Sequence, residues 1–169
     1  MAGERMIATT AIEHRHVTTR EALRAAAVDL VAGARREVLI CSPMLEATFY
    51  NRADLAQTFG QFIARRAGNR IRIVVEDGEH MLQADVRLVE LARRFSDLIL
   101  IRRLGELHHG LAEMFIVADG KSCLHQRDLT SVDATCDFHA AHLADPLARR
   151  FETLWAGSDP LPDLHPFRL

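Results

Sequence analysis

Three short apolar runs, each preceded by a helix-patterned segment, constrain this 169-residue chain more than any other feature. They are Glu37-Val38-Leu39-Ile40-Cys41, Ile71-Arg72-Ile73-Val74-Val75 and Leu98-Ile99-Leu100-Ile101. Successive side chains of a strand point to opposite faces, so a strand with little polar alternation must be covered on both sides. Thr18-x-x-Glu21 reads as a capping box before Leu23, Ala27, Leu30 and Ala34, a helix that gives way at Gly33. Asn51 reads as the cap of a second helix with Leu55, Phe59, Phe62 and Ile63 on one face, ended by Gly68-Asn69. A third runs from Met81 to Phe95 and aligns Leu82, Val86, Val89 and Ala92. The order α-β-α-β-α-β with short connections predicts an α/β fold: a mostly parallel sheet with helices on both faces.

After Ile101 the pattern changes. Met114–Ala118 and Lys121–Leu124 flank Asp119-Gly120, the strongest short signal for an antiparallel hairpin. Asp145 reads as the cap of a last helix, with Pro146 at its first position, Leu147, Phe151, Leu154 and Trp155 on one face, and Gly157 as its stop. The expected organisation is one α/β domain over residues 1–157 and a tail over 158–169 that holds three of the five prolines. A chain this long buries a core without disulfides or metal.

The formal net charge of -2 gives no global pull toward nucleic acid or anionic lipid, so binding of either kind needs a local patch. The longest apolar runs fall well short of the roughly 20 residues that cross a membrane, which predicts no membrane contact. The first residues lack a basic segment followed by an apolar one. Cys41, Cys123 and Cys136 are odd in number and irregularly spaced, as reduced thiols are. The expected location is the cytoplasm, and no cofactor is implied.

A parallel β-α-β-α-β block, a hairpin over Glu113-Met-Phe-Ile-Val-Ala-Asp-Gly-Lys121, and a helix carrying Phe151-Glu-Thr-Leu-Trp155 together resemble one half of the phospholipase D superfamily. The resemblance spans Leu23 to Trp155 and includes Val38–Pro43, where that superfamily often ends a strand in Ser-Pro. It implies a bacterial type of cytosolic protein from a family of unknown function. Members typically carry His-x-Lys-x4-Asp and, six residues on, Gly-Ser-x-x-Asn; the histidine is the nucleophile, and the lysine and asparagine hold phosphoryl oxygens. Anchored on Asp119, the histidine position holds Ala112 and the lysine position Met114. Gln126 and Arg127 stand for Gly-Ser, and Thr130 for the asparagine. Alanine cannot form a phospho-enzyme, and methionine brings no charge to a phosphate. The resemblance therefore implies an inactive half with no catalytic residue, in which Asp119 serves as a turn residue. Active members pair two halves across the site, so a lone half is expected to form a homodimer or to bind another partner.

Two other readings rest on local residues. Arg102, Arg103, His108 and His109 follow the third strand at its C-terminal end, where open α/β sheets bind ligands. With Arg127 they suggest a site for a phosphate-containing ligand or nucleic acid. A hydrolase with relocated chemistry would use Glu76, Asp77, His108, His109, Glu113 and His125 as acid–base groups. Metal binding is not expected. In Cys136-x-x-His139-x-x-His142 the outer residues would stand about 240° apart on a helix, and His14-x-His16 lacks a third ligand.

Overall fold

The computed structural model describes residues 11–50, 52–78, 87–161 and 164. In chain order the elements are β1 (Glu13–Val17), α1 (Arg20–Gly33), β2 (Glu37–Ser42), α2 (Ala47–Tyr50), α3 (Ala53–Arg65), β3 (Arg70–Val75), α4 (Arg87–Arg94), β4 (Ile99–Leu104), β5 (Met114–Ala118), β6 (Ser122–Gln126), β7 (Ala134–Phe138), α5 (Ala141–Ala156) and β8 (Ser158–Pro160). A 3-10 turn, Glu106–His108, lies between β4 and β5. The strands form one sheet in the order β1-β7-β6-β5-β2-β3-β4-β8.

Helices cover both faces, as the apolar runs require. Val38, Ile40, Ile71, Ile73, Ile99 and Ile101 pack against α1, α3 and α4, with Leu30, Phe59, Phe62 and Leu88 at the centre. Leu39, Cys41, Val74, Phe115 and Val117 pack against α5 through Ala144, Leu147, Phe151 and Leu154. Phe59 and Phe62 are wholly buried, each worth about 1.5–3 kcal/mol in apolar burial.

The expectation of a mostly parallel sheet is corrected. Among the described residues parallel pairing is confined to β2-β3 and β3-β4; the other five pairs are antiparallel. Parallel neighbours need a crossover of a dozen or more residues, usually a helix. After β4 the chain makes only the short turn at Glu106–His108 before β5 enters beside β2 in the opposite sense.

Local boundaries also moved. Thr19, not Thr18, caps α1, its hydroxyl accepting the Ala22 N–H at 3.1 Å. The last helix begins at Ala141, which places Pro146 inside it. Its start is set by tertiary contacts: His139 turns the chain at φ 54, with its N–H on the Ser122 hydroxyl at 3.0 Å. The Ala140 N–H donates to the Lys121 carbonyl at 2.8 Å. Part of the expected tail is sheet, since Ser158–Pro160 pairs with Arg102–Leu104, and Leu161 and Leu164 are buried. Arg102 and Arg103 belong to β4 itself, not to the loop after it. Asn51, and the first part of the helix expected from Met81, lie outside the described residues.

Candidate functional site

The strand registers bring the C-terminal ends of β2, β3 and β4 to the same end of the sheet as Met114, Gln126 and Ala134. A pocket of about 150 Å³ opens there between the start of α1, the segment Ser42–Tyr50, Met114, Gln126 and Leu129–Val132. The sequence thus delivers Met114, Gln126 and Thr130 to one place, although no short motif joins them. Among the described residues the lining holds no histidine, lysine or cysteine. The Gln126 amide donates to the Ser131 carbonyl at 2.6 Å. The Thr130 hydroxyl donates to Asp128 at 2.7 Å, and that bond holds the Asp128 carboxyl below its ordinary range. Arg20 and Arg24 line the pocket alongside Glu46.

Sequence reasoning missed Tyr50, which also lines this pocket. It is 2% exposed, and its hydroxyl has no hydrogen-bond partner among the described residues. Burial raises its pKa above the ordinary phenol range. The neighbouring Ser42 hydroxyl donates to the Met44 carbonyl at 2.6 Å and keeps its lone pairs as the nearest acceptor for the phenol. Nothing in the local sequence marks Tyr50; its burial follows from how α2 folds over the sheet end.

Asp119 sits at the other end of β5. It and Gly120 have φ of 55 and 65, and the Lys121 N–H closes their turn on the Ala118 carbonyl at 3.0 Å, as a type I′ hairpin requires. Its carboxylate does more than turn the chain. It accepts the backbone N–H groups of Arg35, Arg36 and Glu37 at 2.8, 2.8 and 3.0 Å, joining the hairpin to the entry of β2.

The arginine–histidine constellation is not assembled. Arg102 turns toward α5, stacked 4.6 Å over the Trp155 ring, with a bond of 3.3 Å to the Trp155 carbonyl. Arg103 lies in a pocket of about 530 Å³ with Glu76, Asp77, Glu106 and Asp159, surroundings that disfavour an anion. The His109 ring lies 3.3 Å from the Leu104 carbonyl. Arg127 lines a separate pocket with His16, Asp128 and Asp133. It stands near the end of β6, four strand positions from β4, or roughly 19 Å at normal sheet spacing.

The acid–base groups divide in the same way. Glu76 accepts the backbone N–H groups of Gly110 and Leu111, each at 3.0 Å, and so holds the loop before β5. Glu113 pairs with Arg150, and lies 2.6 Å from the His125 ring nitrogen. Burial first, and the Arg127 charge second, hold His125 below the usual histidine range. His14 pairs with Asp137 and His16 with Asp133. Cys136 is buried in β7, while His139 and His142 are exposed. Among the described residues no cluster of three or more metal-ligating side chains occurs, and no helix is long and apolar enough to cross a membrane.

The architecture is that of phospholipase D-like proteins. The chain is similar to Nuc from Salmonella typhimurium, a phospholipase D family member, at TM-score 0.65 and 13% identity, covering 89% of this chain and 99% of that one. NucT from Helicobacter pylori superposes at TM-score 0.58 and 10% identity, over 89% and 100% of the two chains. TrmBL2, an archaeal chromatin protein described as showing a novel mode of DNA binding, matches at TM-score 0.66 and 13% identity. That match covers 92% of this chain, which spans 57% of TrmBL2. By sequence, residues 19–167 match one family model, and the chain belongs to that family, the domain of unknown function DUF7931. No curated protein matches the chain.

Proposed function

We propose that this is a non-catalytic phospholipase D-like domain that acts by binding, through the end of the sheet where Met114, Gln126 and Thr130 meet. The observation that carries this reading is the lining of that pocket. Among the described residues it offers no histidine nucleophile and no lysine, and it holds a buried tyrosine hydroxyl without a partner. That hydroxyl is closed off from solvent, so a ligand reaches it only if α2 shifts; a bond made then offsets part of the roughly 1–3 kcal/mol that an unbonded buried polar group costs. Arg20 favours a ligand with an anionic group, and Glu46 selects against a second one.

A second copy of the chain is the partner this end suits best. Leu129, on the pocket wall, is 41% exposed, and Leu107, on the turn before β5, is 97% exposed. Nucleic acid is a further partner class, suggested by the likeness to a DNA-binding chromatin protein. The acidic surroundings of Arg103 argue against the Arg102–His109 segment as its contact.

The test is turnover of bis(p-nitrophenyl) phosphate by the full chain, together with sedimentation velocity. The expected result is no hydrolysis above the buffer rate, and a dimer that dissociates in Leu129→Asp. Hydrolysis abolished by His125→Ala or His109→Ala would overturn the non-catalytic reading, and a clean monomer at micromolar concentration would remove dimerisation.

A further inference from the structure

The sheet end opposite the pocket carries a concentration of positive charge that no motif announces. There β2, β3 and β4 begin, and α1, α3 and α4 end. Register places Glu37 beside Arg70, and the Arg70 N–H donates to the Arg36 carbonyl at 3.1 Å. The Ile71 N–H bonds the Leu98 carbonyl at 2.8 Å, which brings the turn after α4 alongside. Asp119 ties Arg35 and Arg36 to the hairpin that carries Lys121. The four strands β5, β2, β3 and β4 are neighbours, and span about 14 Å.

Arg35, Arg36, Arg66, Arg70, Arg93, Arg94 and Lys121 are all exposed here, and none makes an ion pair among the described residues. The nearby carboxylates are mostly committed. Glu37 is held by Arg72 at 2.7 Å, and Asp119 by three backbone amides. Asp97 and Glu90 are the exposed acids that remain. With Glu37 paired to Arg72, the seven cations face three acids, Asp97, Glu90 and the amide-held Asp119, and in a chain of net charge -2 make a local field that the overall charge conceals.

Basic residues at helix C-termini ordinarily complement the helix dipole. That accounts for Arg65, which donates to the Ala32 and Ala34 carbonyls at 3.0 Å each, and for the position of Arg93 and Arg94 in the last turn of α4. It does not account for Arg35, Arg36, Arg66, Arg70 and Lys121, which lie beyond the last helical turns.

We propose that this end binds the phosphate backbone of nucleic acid without reading its sequence. Six of the seven cations are arginines, whose forked donors match phosphate oxygens. Asn69, the amide side chain in these segments, is buried on the Phe62 carbonyl at 2.8 Å, so no amide is presented to read adenine. No large apolar side chain stands exposed on residues 35–37, 65–70, 93–98 or 119–121, as insertion into a lipid surface would need. The surface is separate from the pocket, and its failure would leave the pocket reading untouched.

Fluorescence anisotropy of the full chain with two unrelated labelled DNA duplexes of about 25 base pairs tests this. If about five phosphates are engaged, log affinity falls with log salt at a slope of about -4.5, a few hundred-fold between about 50 and 200 mM. Arg66→Glu/Arg70→Glu and Arg35→Glu/Arg36→Glu should each weaken binding at least about tenfold at the lower salt and flatten the slope, equally for both sequences. Circular dichroism should show these variants folded, and Arg103→Glu/Arg127→Glu, at the other end, should bind like the wild type. No binding at low salt, or unchanged affinity in Arg66→Glu/Arg70→Glu, overturns the proposal. So does capture by phosphatidylserine–phosphatidylcholine vesicles with none by DNA.

Discussion

Removing the Asp119 carboxylate should cost more stability than any other hairpin substitution, because three backbone bonds converge on it at 2.8–3.0 Å. At about 1 kcal/mol for each half-exposed bond, Asp119→Ala loses about 3 kcal/mol. A φ of 55 adds about 1 kcal/mol for an alanine forced into the left-handed region. The total of about 4 kcal/mol corresponds to a fall of roughly 8–16 °C in Tm for a chain of this size. Asp119→Asn keeps one acceptor oxygen and tolerates the turn, so it should cost only about 1–2 kcal/mol. Urea unfolding followed by the fluorescence of Trp155, the single tryptophan, measures both. The midpoint should fall with an unchanged slope. If Asp119→Ala lies within about 1 kcal/mol of wild type, or Asp119→Asn is as damaging as Asp119→Ala, the anchoring role is refuted.

Two further predictions concern the α5 side of the sheet and the thiols. Arg72 is 15% exposed, bonds Glu37 and Glu152, and lies 5.3 Å over the rings of both Phe151 and Trp155. Arg72→Ala should cost about 2–3 kcal/mol and let the Glu152 carboxyl, which Arg72 now holds low, titrate higher by NMR. A lowered folded pKa means the pair stabilises above the ordinary glutamate range and ceases to do so as pH falls through the folded value; an unmoved Glu152 titration sinks the assignment. Burial pushes Cys41 and Cys136 up to about 12, and Cys123 to about 11. An aromatic disulfide reagent near neutral pH should therefore leave the native chain untouched and label three thiols in denaturant; rapid labelling of folded protein would contradict the burial.

The elements read most accurately from sequence are those whose own side chains settle them. Ile71–Val75 and Glu37–Cys41 have few polar positions to leave in water, and both became central strands. Asp119-Gly120 became the turn its chemistry demands. β1 and β7 were not legible: Glu13–Val17 and Ala134–Phe138 mix charged and small residues at the sheet margin, where pairing rather than apolar pattern makes the strand. The start of α5 was misread because Asp145-Pro146 is a good local start signal, yet bonds from Ser122 and Lys121 begin the helix earlier.

What the sequence determined by itself is the α/β class, with helices on both faces, and the Asp119-Gly120 turn of the hairpin. Both follow from near neighbours along the chain: side-chain period, turn chemistry and residue identity. Only the tertiary structure decided where charge and polarity gather. Arg103 and Arg127 look like partners in a list of residues, but four strand positions separate β4 from β6. Arg36, Arg66, Arg70 and Arg94 look unrelated, yet parallel strands that start together bring them to one end. Tyr50 became the buried, unpartnered group of the pocket for the same reason. A site drawn from several strand ends is set by sheet order, and sheet order is a property of long-range pairing that no local pattern encodes.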